Sequence, residues 1–353
     1  MSIYGKGVMA GGGKKPTPLS VSTNGTWSIN GGYSPVNVSV PASAVTSGTK
    51  VITANGNYDV TEFKNVNANI PASAVTSGTK VIIAEGTYDV TELKNVIVAI
   101  GRSFATTSPV YGLSYVDGLP SDWNTMKEIA KIISEASGSI NANTTSPIYV
   151  NKGNTWAYKI TPGNTINVTS QIGTYTYAVM GFNNFALTNQ GNYGGTHTTA
   201  GLTFGAVNCV GEYKMCYPGN KNGWGGSLMR TSTMSTLQSG MPGTLAQVKV
   251  PYVDYNNQST ILYSDDYMFL PAEKEVFGTR KYSPEAEANA LTQFAYYKNG
   301  GNTIKSFSGS AAIWWLRSIH FYYGDWFCFA NSSGNADYGA GQYACGTAPC
   351  FCV

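Results

Sequence analysis

Apolar and polar positions alternate over much of the first hundred residues, and the alternation repeats. Residues 41–70 are followed by a near copy at residues 71–100, which gives a period of 30 residues, and a more divergent copy occupies residues 23–40. One such unit is too small to bury its own apolar face, whereas stacked copies can bury it against each other. The pattern therefore predicts a β-repeat region over residues 19–100.

Each copy reads as a strand, a glycine turn, a strand led by an aromatic residue, and a final strand. In the copy at residues 41–70, the turn Asn55-Gly56 separates two apolar stretches, which predicts a hairpin. Val66, Ala68 and Ile70 then alternate with asparagines, which predicts a strand with one apolar face. Residues 1–18, rich in Gly, Lys and Pro, are expected to form a flexible arm.

Helical spacing of apolar residues appears only after residue 100. Residues 121–136 give the strongest pattern, with Ser121 or Asp122 as the expected N-cap and Met126, Ile129 and Ile133 on one face. Residues 234–245 form a second helix candidate, weakened by Gly240 and Pro242, and residues 284–298 form a third.

Short strand patterns surround these helix candidates. They occupy several stretches of residues 147–182, and residues 265–271 read as a strand that leads into a bend. A few helices among many short strands predict the α+β class, with residues 101–353 as one domain behind the small all-β repeats.

Composition narrows the possible functions. Charged residues make up 12% of the chain and its net charge is +3, whereas a nucleic-acid binder would show a concentrated basic face. No apolar run approaches a membrane span, and the first residues lack the apolar core of a Sec signal. We therefore expect neither a nucleic-acid partner nor membrane insertion.

The six cysteines include no CxxC pair, and the chain has two histidines, so we expect no metal site and no cofactor. Buried free thiols are the favoured interpretation. A disulfide between Cys209 and Cys216 remains an alternative.

Residues 319–345 combine features that neither a core strand nor a solvated loop shows. They hold eight aromatic residues among many Gly, Asn and Ser, with two carboxylates and no Lys or Arg. Large aromatic side chains among small polar residues are typical of surfaces that bind proteins, because Tyr and Trp offer much contact area for little side-chain entropy. The sequence therefore predicts a binding surface in this segment.

Several motifs between about residue 105 and residue 353 occur in a characteristic order. They are the helical stretch from Trp123 to Ala136, Gly181-Phe182-Asn183-Asn184-Phe185, residues 223–231 (GWGGSLMRT), Phe269-Leu270-Pro271 with residues 275–278 (EVFG), Trp314-Trp315-Leu316-Arg317-Ser318, and the C-terminal residues 346–353 (GTAPCFCV). Together they resemble a family of C-type-lectin-like proteins that diversity-generating retroelements mutate in gut bacteria and their phages. The repeats at residues 19–100 resemble small β modules of phage tail proteins.

This resemblance implies a non-enzymatic receptor-binding protein, carried on a phage tail or displayed at the cell exterior. The expected ligand is a bacterial surface protein or glycan, with phage tail proteins as partners of the N-terminal region and a possible homotrimer. Adenine-directed mutagenesis of Asn codons reaches most residue types found in residues 319–345, but not Trp326 or Gln342.

Scaffold and ligand-binding residues can be assigned within this segment. The expected scaffold comprises Trp314, Trp315, Leu316, Phe327, Ala336, Pro349 and Phe351. The expected ligand-binding residues are Ile319, His320, Phe321, Tyr322, Tyr323, Asp325, Trp326, Phe329, Asn331, Asn335, Asp337, Tyr338, Gln342 and Tyr343. Arg317, which follows two Trp residues, is expected to stack on an aromatic ring or pair with a core carboxylate.

Three alternatives stay open. An enzyme of the formylglycine-generating type shares the implied fold and would use a cysteine pair from Cys345, Cys350 and Cys352. A calcium-dependent lectin would need a carboxylate cluster, for which the nearest set is Asp254, Asn256, Asn257, Asp265 and Asp266. A purely structural tail or baseplate protein would fit the repeats equally well.

Overall fold

The structure is a computed structural model that describes residues 103–110, 113–153, 155–188, 193–194 and 197–353, together with the strands of the preceding region. The chain divides into two compact units. The first comprises Met1–Ser103, Val110–Ser114 and Lys152–Trp156, and the second comprises Phe104–Pro109, Tyr115–Asn151 and Ala157–Val353. The predicted arm at residues 1–18 lies outside the described residues.

Strands of the first unit follow the sequence repeat. They are β1 (Leu19–Val21), β2 (Val36–Val38), β3 (Thr49–Ile52), β4 (Asn57–Asp59), β5 (Asn65–Ala68), β6 (Ser77–Ile82), β7 (Thr87–Asp89) and β8 (Leu93–Val98). One sheet has the order β1-β2-β4-β7 and another the order β3-β5-β8-β6. The two complete copies thus contribute equivalent strands, β3 to β5 and β6 to β8.

The predicted hairpin at Asn55-Gly56 is wrong. The strands on its two sides, β3 and β4, belong to different sheets. β3 pairs in parallel with β5 of the same copy, whereas β4 pairs with its counterpart β7, with Tyr58 opposite Tyr88. The pairing of β4 with the equivalent strand β7 of the other copy therefore outweighs the tendency of Asn55-Gly56 to form a local hairpin.

The rest of the chain is mixed α+β, mostly sheet with few helices, as the sequence predicts for its class. Its helices are α1 (Trp123–Glu135), α2 (Met234–Gln238), α3 (Glu273–Phe277), α4 (Glu285–Ala290) and α5 (Ala295–Lys298), with a π-helical turn at Met229–Thr233. Its strands are β9 (Ser103–Thr106), β10 (Val116–Asp117), β11 (Ile148–Lys152), β12 (Trp156–Ile160), β13 (Thr165–Ser170), β14 (Gly173–Phe182), β15 (Leu202–Ala206), β16 (Gly211–Lys214), β17 (Val248–Tyr252), β18 (Leu262–Asp266), β19 (Met268–Phe269), β20 (Lys305–Phe307), β21 (Ser310–Ala312), β22 (Trp314–Ile319), β23 (Trp326–Ala330), β24 (Ala336–Ala340), β25 (Ala344–Thr347) and β26 (Cys350–Cys352).

Helix α1 confirms the strongest helix prediction. The carboxylate of Asp122 accepts a hydrogen bond of 2.7 Å from the backbone N–H of Thr125, which caps the first turn. The predicted apolar face, including Ile129 and Ile133, is buried. The start of β15 passes so close to this helix that a Cβ at Gly201 would lie 1.9 Å from the carbonyl oxygen of Ala130, and a glycine is therefore required there.

The other two helix predictions are wrong in extent. α2 ends at Gln238, because Ser239 adopts an extended ψ of 129° and Gly240 follows with a left-handed φ of 79°. The predicted helix over residues 284–298 is interrupted by an extended stretch between α4 and α5. Helix α3 was not predicted, because it is only five residues long.

Two five-stranded sheets organise the core of the second unit. Their orders are β13-β14-β15-β26-β19 and β16-β25-β22-β23-β24. In the first sheet the Phe351 ring stacks on the Phe204 ring at 5.2 Å and meets the Tyr177 ring edge-on at 5.0 Å. The C-terminal strand β26 therefore lies inside the core.

An ion pair is completely buried next to the second sheet. Arg317 on β22 donates from Nη1 and Nη2 to the two carboxylate oxygens of Glu275 on α3, at 2.6 and 2.8 Å. Its Nε donates to the carbonyl oxygen of Pro251 and its Nη1 also to that of Leu270. The expected structural role of Arg317 is confirmed. The nearby carboxyl of Glu287 is also buried, and burial raises its pKa to about 7.

Removing one partner of this buried pair should destabilise the protein strongly. Arg317→Met leaves the Glu275 carboxylate buried without its counter-charge, and we expect a loss of about 3–5 kcal/mol in the free energy of unfolding. Denaturant unfolding measures this loss. Asp117→Asn is the control, because it breaks the exposed pair between Asp117 and Lys159 and should barely move the midpoint. Equal effects of the two substitutions would contradict the account.

Candidate ligand-binding surface

The predicted scaffold of the C-terminal segment lies in the interior. Trp314, Trp315 and Leu316 on the central strand β22 are buried, as are Phe327, Pro349 and Phe351, whereas Ala336 is half-buried. The Nε1 of Trp314 donates to the carbonyl oxygen of Thr303, and that of Trp315 to the carbonyl oxygen of Tyr213. Both large rings therefore have polar partners in the core.

The predicted ligand-binding residues divide by exposure into three groups. Exposed are Phe321, Tyr322, Tyr323, Asn335, Gln342 and Tyr343; half-buried are Asp325, Trp326, Phe329, Asn331, Asp337 and Tyr338; buried are Ile319 and His320. Among the aromatic members, Tyr322 and Tyr343 protrude most, with 67% and 64% of their surface exposed. The exposed aromatic side chains sit mainly in the loop between β22 and β23.

Two assignments need correction. Ile319 is 1% exposed because it is the last residue of β22 and still points into the core, so its side chain is not displayed. His320 is 4% exposed because aromatic rings cover it, including Phe321 and Tyr323, which stack on the imidazole at 4.9 and 5.1 Å. Both residues belong to the support of the surface.

His320 holds the main chain of the residues that follow it. We call residues 320–323 the display loop. The Nδ1 of His320 accepts hydrogen bonds from the backbone N–H groups of Tyr322 at 3.0 Å and Tyr323 at 3.2 Å. Nδ1 can accept only when it carries no proton, and burial lowers the pKa of His320, which favours this neutral form.

Residues outside the C-terminal segment also hold the display loop. The Tyr255 hydroxyl donates to the carbonyl oxygen of Tyr322 at 3.0 Å, and the Gln258 amide donates to that of Phe321 at 2.9 Å. The N–H of Phe321 donates to the carbonyl oxygen of Tyr282 at 2.9 Å. Each of these hydrogen bonds ends on a main-chain atom of the display loop, so the side chains of residues 321–323 are not needed for them.

Buried Glu273 supports the neighbouring loop. Its carboxylate accepts hydrogen bonds from the backbone N–H groups of Lys281, Tyr282 and Ser283 and from the Ser283 hydroxyl, at 2.7 to 3.1 Å. Glu273 thereby positions Tyr282, whose ring packs against that of Tyr338 at 4.7 Å. The sequence analysis missed Tyr255, Gln258, Glu273 and Tyr282, because no local pattern links them to residues 320–323.

The half-buried members of the predicted set support the exposed ones. The Asp325 carboxylate accepts a hydrogen bond from the N–H of Gly219 at 3.0 Å, and Asn331 Oδ1 accepts from the N–H groups of Ser333 and Asn335. The ring of Tyr323 packs against that of Trp326 at 4.7 Å. Several polar members thus shape loops, while aromatic members form the base on which the display loop rests.

The surroundings of the six cysteines bear on the alternatives that would use them, the disulfide and an enzyme of the formylglycine-generating type. All six cysteines are free thiols, which excludes the Cys209–Cys216 disulfide in this structure. Burial raises the pKa of Cys352 to about 12 and that of Cys345 to about 11, which disfavours the thiolate form that a nucleophile needs.

Two of the three carboxylates of the calcium-lectin alternative, those of Asp254 and Asp266, serve structural roles. Asp266 is buried and accepts hydrogen bonds from Trp224 Nε1, Arg230 Nε and the Ser264 hydroxyl. Asp254 accepts from the N–H of Asn257 within a turn. Across the described part of the chain, no group of three or more His, Cys, Asp or Glu side chains is arranged to hold a metal ion.

Comparison with known proteins gives one finding. A family model described as a domain of unknown function (DUF6273) matches residues 212–353, which contain the display loop, most of β16 and the strands β17 to β26. No curated protein and no solved structure matches the chain significantly. Among the described residues, no helix is long and apolar enough to cross a membrane.

Replacing His320 should loosen the display loop, whereas replacing Tyr322 should not. His320→Phe keeps an aromatic ring but removes the acceptor for two N–H groups, so we expect faster hydrogen exchange at the amides of Tyr322 and Tyr323. In the unchanged protein, protonation should lower the protection factors of these two amides, that is, their exchange corrected for its intrinsic pH dependence, as the pH falls below about 6.5, because the folded state favours the neutral imidazole.

Tyr322→Ala serves as the control and should change the free energy of unfolding by no more than about 0.5 kcal/mol. Unchanged exchange in His320→Phe would show that the imidazole does not hold the loop.

Proposed function

We propose that the C-terminal part of the chain is a non-enzymatic binding domain of the C-type-lectin-like type, and that its exposed aromatic surface binds an external ligand. The observation that carries the proposal is the display loop. Phe321, Tyr322 and Tyr323 are exposed, yet their loop is held through main-chain atoms. Such a loop can change its side chains while keeping its conformation, which is what a diversified binding surface requires.

The proposed setting is a phage tail, where this domain recognises a protein or glycan on the bacterial surface and sets host tropism. The order of the sequence motifs and the reachability from Asn codons of the exposed residue types other than Gln342 support diversification by a retroelement. The repeated β modules of the first unit suit attachment to tail proteins, and a homotrimer would add avidity. A protein displayed on a bacterial surface would use the same binding surface.

Protruding aromatic side chains suit this role. Tyr322 and Tyr343 offer large contact areas, and the half-buried Trp326 and Tyr338 keep the base of the surface rigid. Residues of this type dominate the binding energy of many protein interfaces. Ligand binding should therefore depend on a few aromatic residues.

Cell binding tests the proposal. The labelled full chain is incubated with a panel of gut bacterial isolates, and the retained label is measured. We expect binding to some isolates, and Tyr322→Ala or Tyr343→Ala should weaken it about 30-fold, the effect of losing a hot-spot residue. Tyr263→Ala is the matched control, because this tyrosine is 60% exposed and lies on the hairpin of β17 and β18.

Two outcomes would contradict the proposal. Binding that Tyr322→Ala and Tyr343→Ala leave unchanged would place the ligand elsewhere on the chain. Binding to none of the isolates would favour the structural tail or baseplate protein.

A further inference from the structure

We propose that the ligand-binding surface includes two residues outside the segment 319–345, Tyr217 and Arg280, which stay constant while the display loop varies. This inference rests on the function proposed above, because it concerns the same surface. Tyr217 follows β16, and Arg280 lies in the loop between α3 and α4. We call Tyr217 and Arg280 the two anchor residues.

The stretch of chain that carries Tyr217 is hydrogen-bonded to the C-terminal segment at two places. The backbone N–H groups of residues 215–216 donate to the carbonyl oxygen of Gly341, at 2.9 and 3.0 Å. The N–H of Gly219 donates to the Asp325 carboxylate at 3.0 Å. The N–H of Gly341 in turn donates to the carbonyl oxygen of Asp325 at 3.0 Å, so the three stretches of chain meet at one point. Tyr217 lies between the residues that make these contacts.

The same contacts bring Tyr217 near the two most exposed tyrosines of the C-terminal segment. Tyr343 is two residues from Gly341, and Tyr322 is three residues from Asp325. Tyr217 is 66% exposed, which is close to the exposed fractions of Tyr322 and Tyr343. An interface of ordinary size covers about 800 Å² on each partner, which is enough to include tyrosines on three adjoining loops.

Direct packing confirms how close this stretch of chain comes to the display loop. Gly324 is the residue after the display loop but one, and it has no room for a side chain. A Cβ at Gly324 would lie 3.1 Å from Cδ1 of Tyr255 and 3.3 Å from Cγ of Lys221. Residues 215–221 therefore form one side of the surface on which the display loop lies.

Arg280 lies against the display loop itself, and its position is fixed. Its guanidinium lies over the Phe321 ring, 5.7 Å from the ring centroid. Its Nε donates to the carbonyl oxygen of Ser283 at 2.6 Å, within the loop that Glu273 holds. In the described part of the chain, the Nη1 and Nη2 atoms of this exposed arginine form no hydrogen bond and no ion pair. Their N–H groups are therefore available to an acceptor oxygen of a ligand.

The anchor residues add what the diversified segment lacks. Tyr and Arg are among the residue types that contribute most binding free energy at interfaces, and a side chain that is already fixed loses little entropy on binding. Segment 319–345 contains no Lys or Arg, so Arg280 supplies a cationic donor to the surface from outside it. The anchor residues would thus give every version of the protein a common share of its affinity, while the display loop decides which ligand is preferred.

Binding of the full chain to the bacterial isolates that retain it tests this inference. Tyr217→Ala and Arg280→Met should each weaken binding about tenfold, because each removes one contact of the hot-spot type. Tyr263→Ala and Lys298→Met are the matched controls, since they remove an exposed tyrosine on β18 and an exposed cation on α5. Both controls should leave binding unchanged.

Hydrogen exchange separates a direct contact of Arg280 from support of its loop. Arg280→Met also removes the hydrogen bond to Ser283, so exchange is measured at the amides of residues 281–283 and 322–323. We expect weaker binding with unchanged exchange, because Glu273 and His320 still hold these amides. Weaker binding with faster exchange at these amides would make Arg280 a supporting residue and overturn its direct contact.

The inference would be overturned if Tyr217→Ala or Arg280→Met bound as well as the two controls while Tyr322→Ala lost binding. In that case the proposed function would stand, with a ligand surface confined to the C-terminal segment. Binding to none of the isolates would contradict the proposed function, and this inference with it.

Discussion

The second unit depends on the bidentate pair between Arg317 and Glu275. Burying two charges is unfavourable unless both are fully hydrogen-bonded, and here the guanidinium also binds two backbone carbonyl oxygens, those of Pro251 and Leu270. The pair therefore joins β22, α3 and β17 at one point. The display loop begins three residues after Arg317, so the candidate ligand-binding surface is built directly next to this buried pair.

The residues that hold the backbone of the display loop are different from the residues that the loop exposes. His320, Tyr255 and Gln258 act on main-chain atoms, and Glu273 acts on the neighbouring loop in the same way. The exposed side chains at residues 321–323 carry none of these contacts. A surface built in this way can acquire new specificity by substitution, since the hydrogen bonds that hold its backbone do not come from the side chains that face the ligand.

The sequence predicted those features that depend on local patterns. Capping and helical spacing gave α1, short strand patterns between turns gave the strands of residues 147–182, and the Trp-Trp-Leu-Arg run gave buried scaffold residues with a structural arginine. Long-range features were missed. The predicted helix over residues 284–298 breaks because Phe294 bonds to Glu275, and His320 is buried because Tyr282 and Tyr338 cover it. No pattern within a few residues reveals such contacts, and the same holds for the pairing of β4 with β7.

The most direct test of the central claim is a comparison of the 3′ end of this gene in closely related genomes. The account predicts that substitutions concentrate at residues 321–323 and 343, at adenine positions of a near-copy beside a reverse transcriptase gene. Glu273, Glu275, Arg317 and His320 should stay unchanged. A C-terminal segment that does not vary among relatives, or that varies as often at residues 317–320 as at residues 321–323, would contradict it.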